Sequence, residues 1–168
     1  MRGTRPTVHY GFSLIELVIV ISIIGIVSAI AVPRFTDAAA GRRLSAAKRT
    51  LIADIEYAKL RARATSKIYV IVFYPSKNKY ILAEGTDVRV GTIVFTRDFD
   101  DNPYKIGIAR TNLGGQEYSV VTPFGELSPG FTVGLTDNDV EITVPFTGIP
   151  SIGITPTIDN NAGDVTVK

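Results

Sequence analysis

The sequence predicts an α+β protein in which a long N-terminal helix, one half membrane-spanning and the other amphipathic, packs on an antiparallel β-sheet or sandwich. Two observations predict this class. An apolar run at residues 12–32 is followed by helical periodicity to about residue 65. Beyond residue 66, short runs rich in β-branched and aromatic residues alternate with turn-forming residues. We therefore expect segments at residues 1–11, 12–33, 34–66 and 67–168.

The apolar run is long enough to cross a bilayer. Its 21 residues would extend roughly 31 Å as a helix, at about 1.5 Å per residue. One carboxylate, Glu16, lies near its start. The large apolar residues contribute roughly −4 to −8 kcal/mol of insertion free energy, against about +2.5 to +3.5 kcal/mol for a central carboxylate. Insertion therefore remains favourable with Glu16 charged, and the costly charge indicates a function.

Two simpler interpretations compete for this segment. A cleaved secretory signal has a basic start, a shorter apolar core and a small-residue cleavage site, which the sequence around Ala29 and Ala31 offers. That interpretation fits poorly, because the run is too long and contains a glutamate. A plain anchor carrying an unrelated periplasmic β-domain explains the length of the run but gives Glu16 no role.

The sequence Gly-Phe-Ser-Leu-Ile-Glu-Leu at residues 11–17 closely resembles the cleavage and methylation motif of type IV pilins and type II secretion pseudopilins. A leader with Arg2 and Arg5, the long apolar helix and Pro33 also fall where that family has them. The resemblance covers the first quarter of the chain. It implies the pilin fold and a structural role in a filament.

The resemblance assigns roles to three residues at the start of the apolar run. It implies that a prepilin peptidase cleaves between Gly11 and Phe12 on the cytoplasmic side and methylates the new amine of Phe12. Glycine suits such a cleft because it has no side chain to obstruct the backbone. Glu16 would then pair with the Phe12 ammonium of a neighbouring subunit, a contact that specifies register more than it stabilises.

The same resemblance implies an inner-membrane protein with its head in the periplasm, extracted from membrane lipid into a pseudopilus or pilus. Its partners would be other pilins, bound through helix 12–33 and the head, and the inner-membrane assembly platform. A count of flanking cations disagrees, since Arg2 and Arg5 precede the span whereas five cations follow it within residues 34–49. We follow the motif, because large domains translocate despite flanking charge.

The second half of the helix is predicted to begin around Pro33 and to end at about Thr65. Apolar residues recur there at spacings of three and four, which is typical of a core-facing helix face. They are Leu44, Ala47, Leu51, Ile55, Ala58 and Ala62. Pro33 costs about 3 kcal/mol inside a helix and Gly25 about 1 kcal/mol. The resemblance implies that this segment stretches in the filament; a static kink is the alternative.

The remaining chain is predicted to form short antiparallel strands. The predicted strands are residues 68–74, 79–84, 88–95, 105–109, 117–122, 131–135 and 140–146, with weaker ones at 152–155 and 164–167. Turns are predicted at residues 75–78, 113–115, 128–130 and 137–139. Within this head, residues 118–130 resemble the H-type minor pseudopilins and FimT-like proteins, and residues 54–64 resemble the end of that family's helix. Type II secretion and type IV pilus biogenesis remain competing systems.

Catalysis is disfavoured by composition. The chain has no cysteine, and its single histidine, His9, lies in the predicted leader, so the usual nucleophile and base pairs cannot be built after cleavage. We expect neither an enzyme nor a cofactor. Residues 98–102 offer oxygen ligands for calcium, but Pro103 stands where an EF-hand needs glycine, and Ala109 where it needs glutamate. No metal site is predicted.

DNA binding is the main alternative function, because some FimT-like minor pilins serve DNA uptake. Residues 34–67 have a net charge of +6 and residues 68–168 of −5. Binding to phosphates needs clustered cations, which only the helix offers. The candidate contacts are Arg42, Arg43, Arg49, Arg61 and Arg63. We rank this below a structural role, because the rest of the head is acidic.

Overall fold

A computed structural model describes residues 11–158 apart from residues 102, 114, 115 and 138, and without the side chains of residues 32 and 33. The predicted leader, including Arg2, Arg5 and His9, lies outside the described residues, as does the strand predicted at 164–167. The chain divides into two compact units, Met1–Ala38 and Ala39–Lys168.

One helix, α1 (Leu14–Thr65), runs through 52 residues. It ends at Thr65 as predicted. The second half of the helix, predicted to begin around Pro33, continues the first half without a break, since the backbone stays helical through residues 32 and 33. A proline removes only one intrahelical hydrogen bond, and the helical backbone continues on both sides of it.

Among the described residues, eight strands follow the helix. They are β1 (Tyr69–Tyr74), β2 (Lys79–Glu84), β3 (Ile93–Asp98), β4 (Gly107–Asn112), β5 (Tyr118–Val121), β6 (Leu127–Ser128), β7 (Phe131–Asp137) and β8 (Val140–Phe146). The first sheet has the order β3-β2-β1-β5-β6 and the second β4-β7-β8. All pairs within the two sheets are antiparallel. The α+β class and the antiparallel head are therefore confirmed.

Three strand predictions need correction. The strand expected at 88–95 begins only at Ile93, because the Gly91 N–H donates to the Asp87 carbonyl at 2.7 Å in a tight turn. The strand expected at 105–109 begins at Gly107, since Lys105 has a φ of 49°, which lies outside the β region. No strand forms at 152–155, where Gly153 has a φ of 75°. The two-residue strand β6 was not predicted.

The core lies between α1 and the two sheets. The six residues of the predicted apolar stripe are all buried, which confirms that face. They pack against one face of β1 and β2 and against β7, including Phe73, Leu82 and Val133. The opposite face of the first sheet forms a smaller cluster that includes Val70 and Val120, on which the chain segment with Ile154 and Ile158 packs.

Side-chain contacts fix the helix in register on the sheets. They are Arg43 Nη1 to Asp137 Oδ2 at 3.0 Å, Thr50 Oγ1 with Tyr104 Oη at 2.9 Å, Tyr80 Oη to Asp54 Oδ2 at 2.7 Å, and Arg63 Nε to the Phe124 carbonyl at 2.8 Å. The first of these contacts places the end of β7, at Asp137, beside Arg43 of α1. The start of β1 lies beside its last turns, where the Arg61 guanidinium meets Tyr69.

Candidate functional site

The N-terminal part of α1 presents an unbroken apolar surface. Phe12, Leu14 and Ile15 are 80%, 81% and 64% exposed, and every large apolar residue described from there to Ile30 is exposed by 43% or more. Isolated exposed apolar residues are ordinary, but contiguous surfaces of this kind mark protein or membrane contacts. The helix therefore presents the kind of surface that fits a membrane or protein contact.

By length and composition, this helix is able to cross a membrane. Its most apolar 18-residue window has a mean hydropathy of 2.8, and none of that window is buried by the rest of the described chain. Within the described residues, no other helix meets these criteria.

Glu16 lies in the first turn of α1. Ser13 caps this turn: its hydroxyl oxygen accepts the Glu16 N–H at 3.4 Å and its carbonyl accepts the Leu17 N–H at 3.1 Å. Ser13 and Glu16 have the spacing of a capping box, and a carboxylate is favourable beside the positive end of the helix dipole. The carboxylate is exposed and accepts no side-chain hydrogen bond from the described residues. It is therefore free to accept an external ammonium.

Among the described residues, no steric contact requires glycine at position 11 or at position 25. A Cβ at Gly11 or at Gly25 would meet no atom within 4 Å. Gly11 is also exposed and precedes the helix, next to the exposed Phe12. The predicted roles of Gly11 and Phe12 in cleavage, and of Gly25 and Pro33 in helix flexibility, stay predictions.

The five candidate DNA-contact arginines fall into two groups. Arg42 and Arg49 are exposed and have no partner among the described side chains. Each of the other three makes a contact with another residue of the chain. Arg43 pairs with Asp137 at 3.0 Å, Arg63 donates to Phe124, and Arg61 donates to Tyr57 Oη at 2.7 Å. The free cations are thus fewer than the sequence suggested, and they lie in one stretch of the helix.

A polar cluster at the end of α1 was missed by sequence reasoning. Arg61 also donates to Tyr69 Oη at 3.2 Å, and Tyr69 donates to Glu84 Oε2 at 3.1 Å. The Lys67 ammonium pairs with Glu84. The hydrogen bond from Lys67 holds the pKa of Glu84 below its usual value, and that of Lys67 is raised in turn. The cluster fixes the junction between α1 and β1.

Asp54 forms a second contact that was not predicted. Its carboxylate accepts from Arg97 Nε at 2.9 Å, from Arg97 Nη2 at 3.1 Å and from Tyr80 Oη at 2.7 Å. Burial and the neighbouring carboxylate raise the pKa of the Tyr80 phenol, so the phenol stays a donor. In the sequence, the only indication of this contact was that Asp54 is an acidic residue next to the apolar stripe of the helix. That position did not identify Arg97 or Tyr80 as its partners.

One of the acidic residues considered for calcium, Asp98, is engaged in other contacts. The Asp98 carboxylate pairs with Lys79 at 3.0 Å and accepts the Asp100 N–H at 2.8 Å. In the described part of the chain, no group of three or more His, Cys, Asp or Glu side chains could hold a metal ion.

Comparison with known proteins identifies the N-terminal segment. A family model described as the prokaryotic N-terminal methylation motif matches residues 8–32. The motif, the exposed apolar helix and the antiparallel head together support the pilin and pseudopilin family, whose role is structural rather than enzymatic. They also fit a membrane-anchored protein. No curated protein and no solved structure matches the chain.

Proposed function

We propose that this chain is a minor pseudopilin or pilin, a structural subunit of a type II secretion pseudopilus or type IV pilus. The observation that supports the proposal most directly is the methylation motif at residues 8–32, placed at the start of a helix whose apolar surface is uncovered. A plain anchor accounts for the helix but not for the motif or for Glu16.

The proposal includes the processing and location of the chain. A prepilin peptidase cleaves after Gly11 and methylates Phe12. The subunit then waits in the inner membrane, with its head in the periplasm, until the assembly platform moves it into the filament. There the uncovered apolar surface exchanges lipid for the helices of other pilins, and Glu16 pairs with the amine of a neighbour.

Within the family, we assign the chain to the H-type and FimT-like minor subunits. The support is the resemblance of residues 118–130. There β5 leads through a turn into β6 and the cis Ser128–Pro129 bond. Glycine is required in this turn: Gly125 has a φ of 75°, and a Cβ would overlap the Arg63 side chain. The tight contact joins the end of the helix to the head.

Processing is tested by expressing the full chain with and without a prepilin peptidase. We expect the enzyme to shorten the chain by its leader, which gel mobility reports. The variant Gly11→Val should stay uncleaved because its side chain obstructs the backbone at the cleavage site. Gly25→Val, the same change made inside the helix and away from the cleavage site, should still be cleaved. Equal mobility with and without the enzyme would contradict the proposal.

A further inference from the structure

Strand β3 is an edge of the first sheet, and its outer side is open. Among the described strands it pairs with β2 alone. The Phe99 N–H donates to the Asn78 carbonyl at 2.9 Å on the β2 side, and successive residues of a strand direct their backbone groups to opposite sides. The backbone groups of Thr96 and Asp98 therefore point outward, and no backbone group of another described segment bonds to them. Such an edge is a template for one more strand.

The side chain of Thr96 also lacks a partner. Thr96 lies opposite Ile81 in the strand pair, and Ile81 belongs to the smaller cluster on the sheet face away from α1, which we call the outer cluster. The Thr96 side chain therefore lies on that face. Its hydroxyl oxygen is buried and has no hydrogen-bond partner among the described residues. Buried hydroxyls are rarely left unsatisfied, because the loss of hydration is costly.

The segment after β8 crosses this outer face, and we call residues 147–158 the strap. The strap starts beside β6, the strand at the other edge of the first sheet. There the Ile149 N–H donates to the Leu127 carbonyl at 2.8 Å. The Ser128 hydroxyl oxygen then accepts the Ile152 N–H at 3.0 Å. These contacts fix the start of the strap on β6.

The strap next reaches the loop between β2 and β3. The Thr157 N–H donates to the Thr86 carbonyl at 2.9 Å, and the Val88 N–H donates to the Thr157 carbonyl at 3.0 Å. Ile158 packs on the outer cluster, as does Ile93, the first residue of β3. The strap thus crosses the whole sheet and brings the chain to the start of the open edge.

The sequence that continues from Ile158 fits a short edge strand. Residues 159–163 are Asp-Asn-Asn-Ala-Gly, a composition typical of turns. They can span roughly 17 Å, which is several times the strand spacing of about 4.8 Å. Residues 164–167 are Asp-Val-Thr-Val, three of them β-branched and none of them proline, so every N–H is available for pairing.

We propose that residues 164–167 bind along the open edge of β3 as an added strand of the same chain. Because the strap reaches the sheet at the start of β3, the added strand runs parallel to β3. Thr166 then lies on the outer face, where its hydroxyl bonds with that of Thr96, while Val165 and Val167 lie on the face toward α1. The inference concerns the head alone and does not rest on the proposed function.

The helix side of the edge suits the two valines. Phe95, the neighbour of Thr96, is only partly buried where it packs on the main core. The Tyr57 ring of α1 lies 6.1 Å from the Phe95 ring and is 44% exposed. Two β-branched side chains at this position would cover apolar surface of both rings. A shift by one residue would turn the valines to the other face and leave the Thr96 hydroxyl without its partner.

The short connection favours this occupant over a strand from another molecule. A segment joined to the head through residues 159–163 is present at an effective concentration of about millimolar. A second copy could supply the same strand by exchange, but it would have to reach a comparable concentration. Once bound, the added strand closes the edge and so prevents the head from pairing with other extended chains.

Cross-linking tests the position of the segment, and the absence of cysteine from the sequence leaves no competing thiol. In the full-length chain, Thr96→Cys with Thr166→Cys, treated with a short bismaleimide, should give an internally linked monomer. Its yield should be at least tenfold higher than that of Thr143→Cys with Thr166→Cys. Thr143 is the matched control, since it is an exposed threonine of β8, an edge strand of the second sheet. Equal yields overturn the proposal, as does a link that joins two copies or a different protein.

Hydrogen exchange resolved to single amides tests the backbone contacts. The Thr96 amide should exchange slowly in the full-length chain, because the added strand accepts its N–H. Val165→Pro with Thr166→Pro removes two N–H donors from the segment and disfavours a strand, so it should speed exchange of the Thr96 amide at least tenfold. The Arg97 amide, which faces β2, should stay protected and so report that the head is folded.

The control is a second pair of prolines, Asn161→Pro with Ala162→Pro, placed in the turn segment before the proposed strand. It should leave exchange of the Thr96 amide slow. Fast exchange of this amide in the wild-type chain overturns the inference. Slow exchange that the prolines at 165 and 166 do not change overturns it as well, because another segment would then cover the edge.

Discussion

At the residue scale, Glu16 has two physical roles to separate. It occupies the third position of a capped helix, where its charge favours the helix N-terminus, and its carboxylate is free among the described residues for an external ammonium. The sequence predicted the costly charge and its place near the helix start. It did not predict the cap, because Ser13 was considered only as part of the motif.

We expect Glu16→Gln to be inserted and cleaved but not recovered in filaments, because the neutral amide cannot balance the ammonium of Phe12. The measurement is the fraction of the chain in sheared or sedimented filaments. Ser13→Ala is the control: it loses about 1 kcal/mol of capping but keeps the carboxylate, so assembly should persist. If both variants were lost from filaments to the same extent, the role of Glu16 would be helix capping rather than pairing with the ammonium.

Asp54 illustrates a residue whose partners the sequence could not identify, since Arg97 and Tyr80 are distant along the chain. We expect Asp54→Ala to lower the free energy of unfolding by about 1–3 kcal/mol, because it leaves two partly buried donors without their acceptor. Thermal unfolding of the detergent-solubilised chain measures this. Glu56→Ala, which removes an exposed pair with Lys59, should change stability by less than about 1 kcal/mol.

At the element scale, the sequence predicted those features that depend on periodicity. The bounds of β2 and β8 and all six residues of the helix stripe are as predicted. The errors occur where backbone geometry overrides side-chain pattern. Val88 is apolar but packs on the outer cluster from a loop, and its N–H donates to the Thr157 carbonyl at 3.0 Å. A contact between residues so distant along the chain produces no pattern in the local sequence from which it could be predicted.

The stripe on α1 is expected to hold the helix on the sheets. Leu51 is fully buried, whereas its neighbour Ile52 is 39% exposed. We expect Leu51→Ala to destabilise the head by about 2–5 kcal/mol through lost burial and a residual cavity. Ile52→Ala should cost less than half as much. Chemical unfolding followed by circular dichroism measures the free energy of unfolding of both variants. Similar decreases in the two variants would contradict the prediction that the face of α1 with Leu51 is the one that packs on the sheets.

At the scale of the whole molecule, the head divides its charge between two flanks and the N-terminal helix leaves its apolar surface uncovered. The uncovered apolar surface fits a membrane-anchored protein. Composition predicted the imbalance between residues 34–67 and 68–168. It could not show which charges are already paired, because ion pairs such as Arg43–Asp137 join distant segments.

Acid is expected to destabilise the head. Hydrogen bonds from Lys67 and from Arg89 lower the pKa values of Glu84 and Asp87 below the ordinary 4.5 and 3.8. A lowered folded-state pKa contributes stability that is complete above the ordinary value and is lost as the pH falls through the folded value. The melting temperature should therefore be flat near neutrality and fall below about pH 4.5. Glu84→Gln with Asp87→Asn should weaken that slope; an unchanged slope would contradict this assignment.

The central claim is that residues 11–17 are a processing site and that residues 12–32 then serve as an assembly helix. Mass spectrometry of the N-terminal peptide, from the chain made in cells with a prepilin peptidase, tests it most directly. The account predicts a peptide that begins at Phe12 and bears a methyl group on its amine. A peptide that begins at Met1, or one produced by cleavage after Ala31, would contradict it.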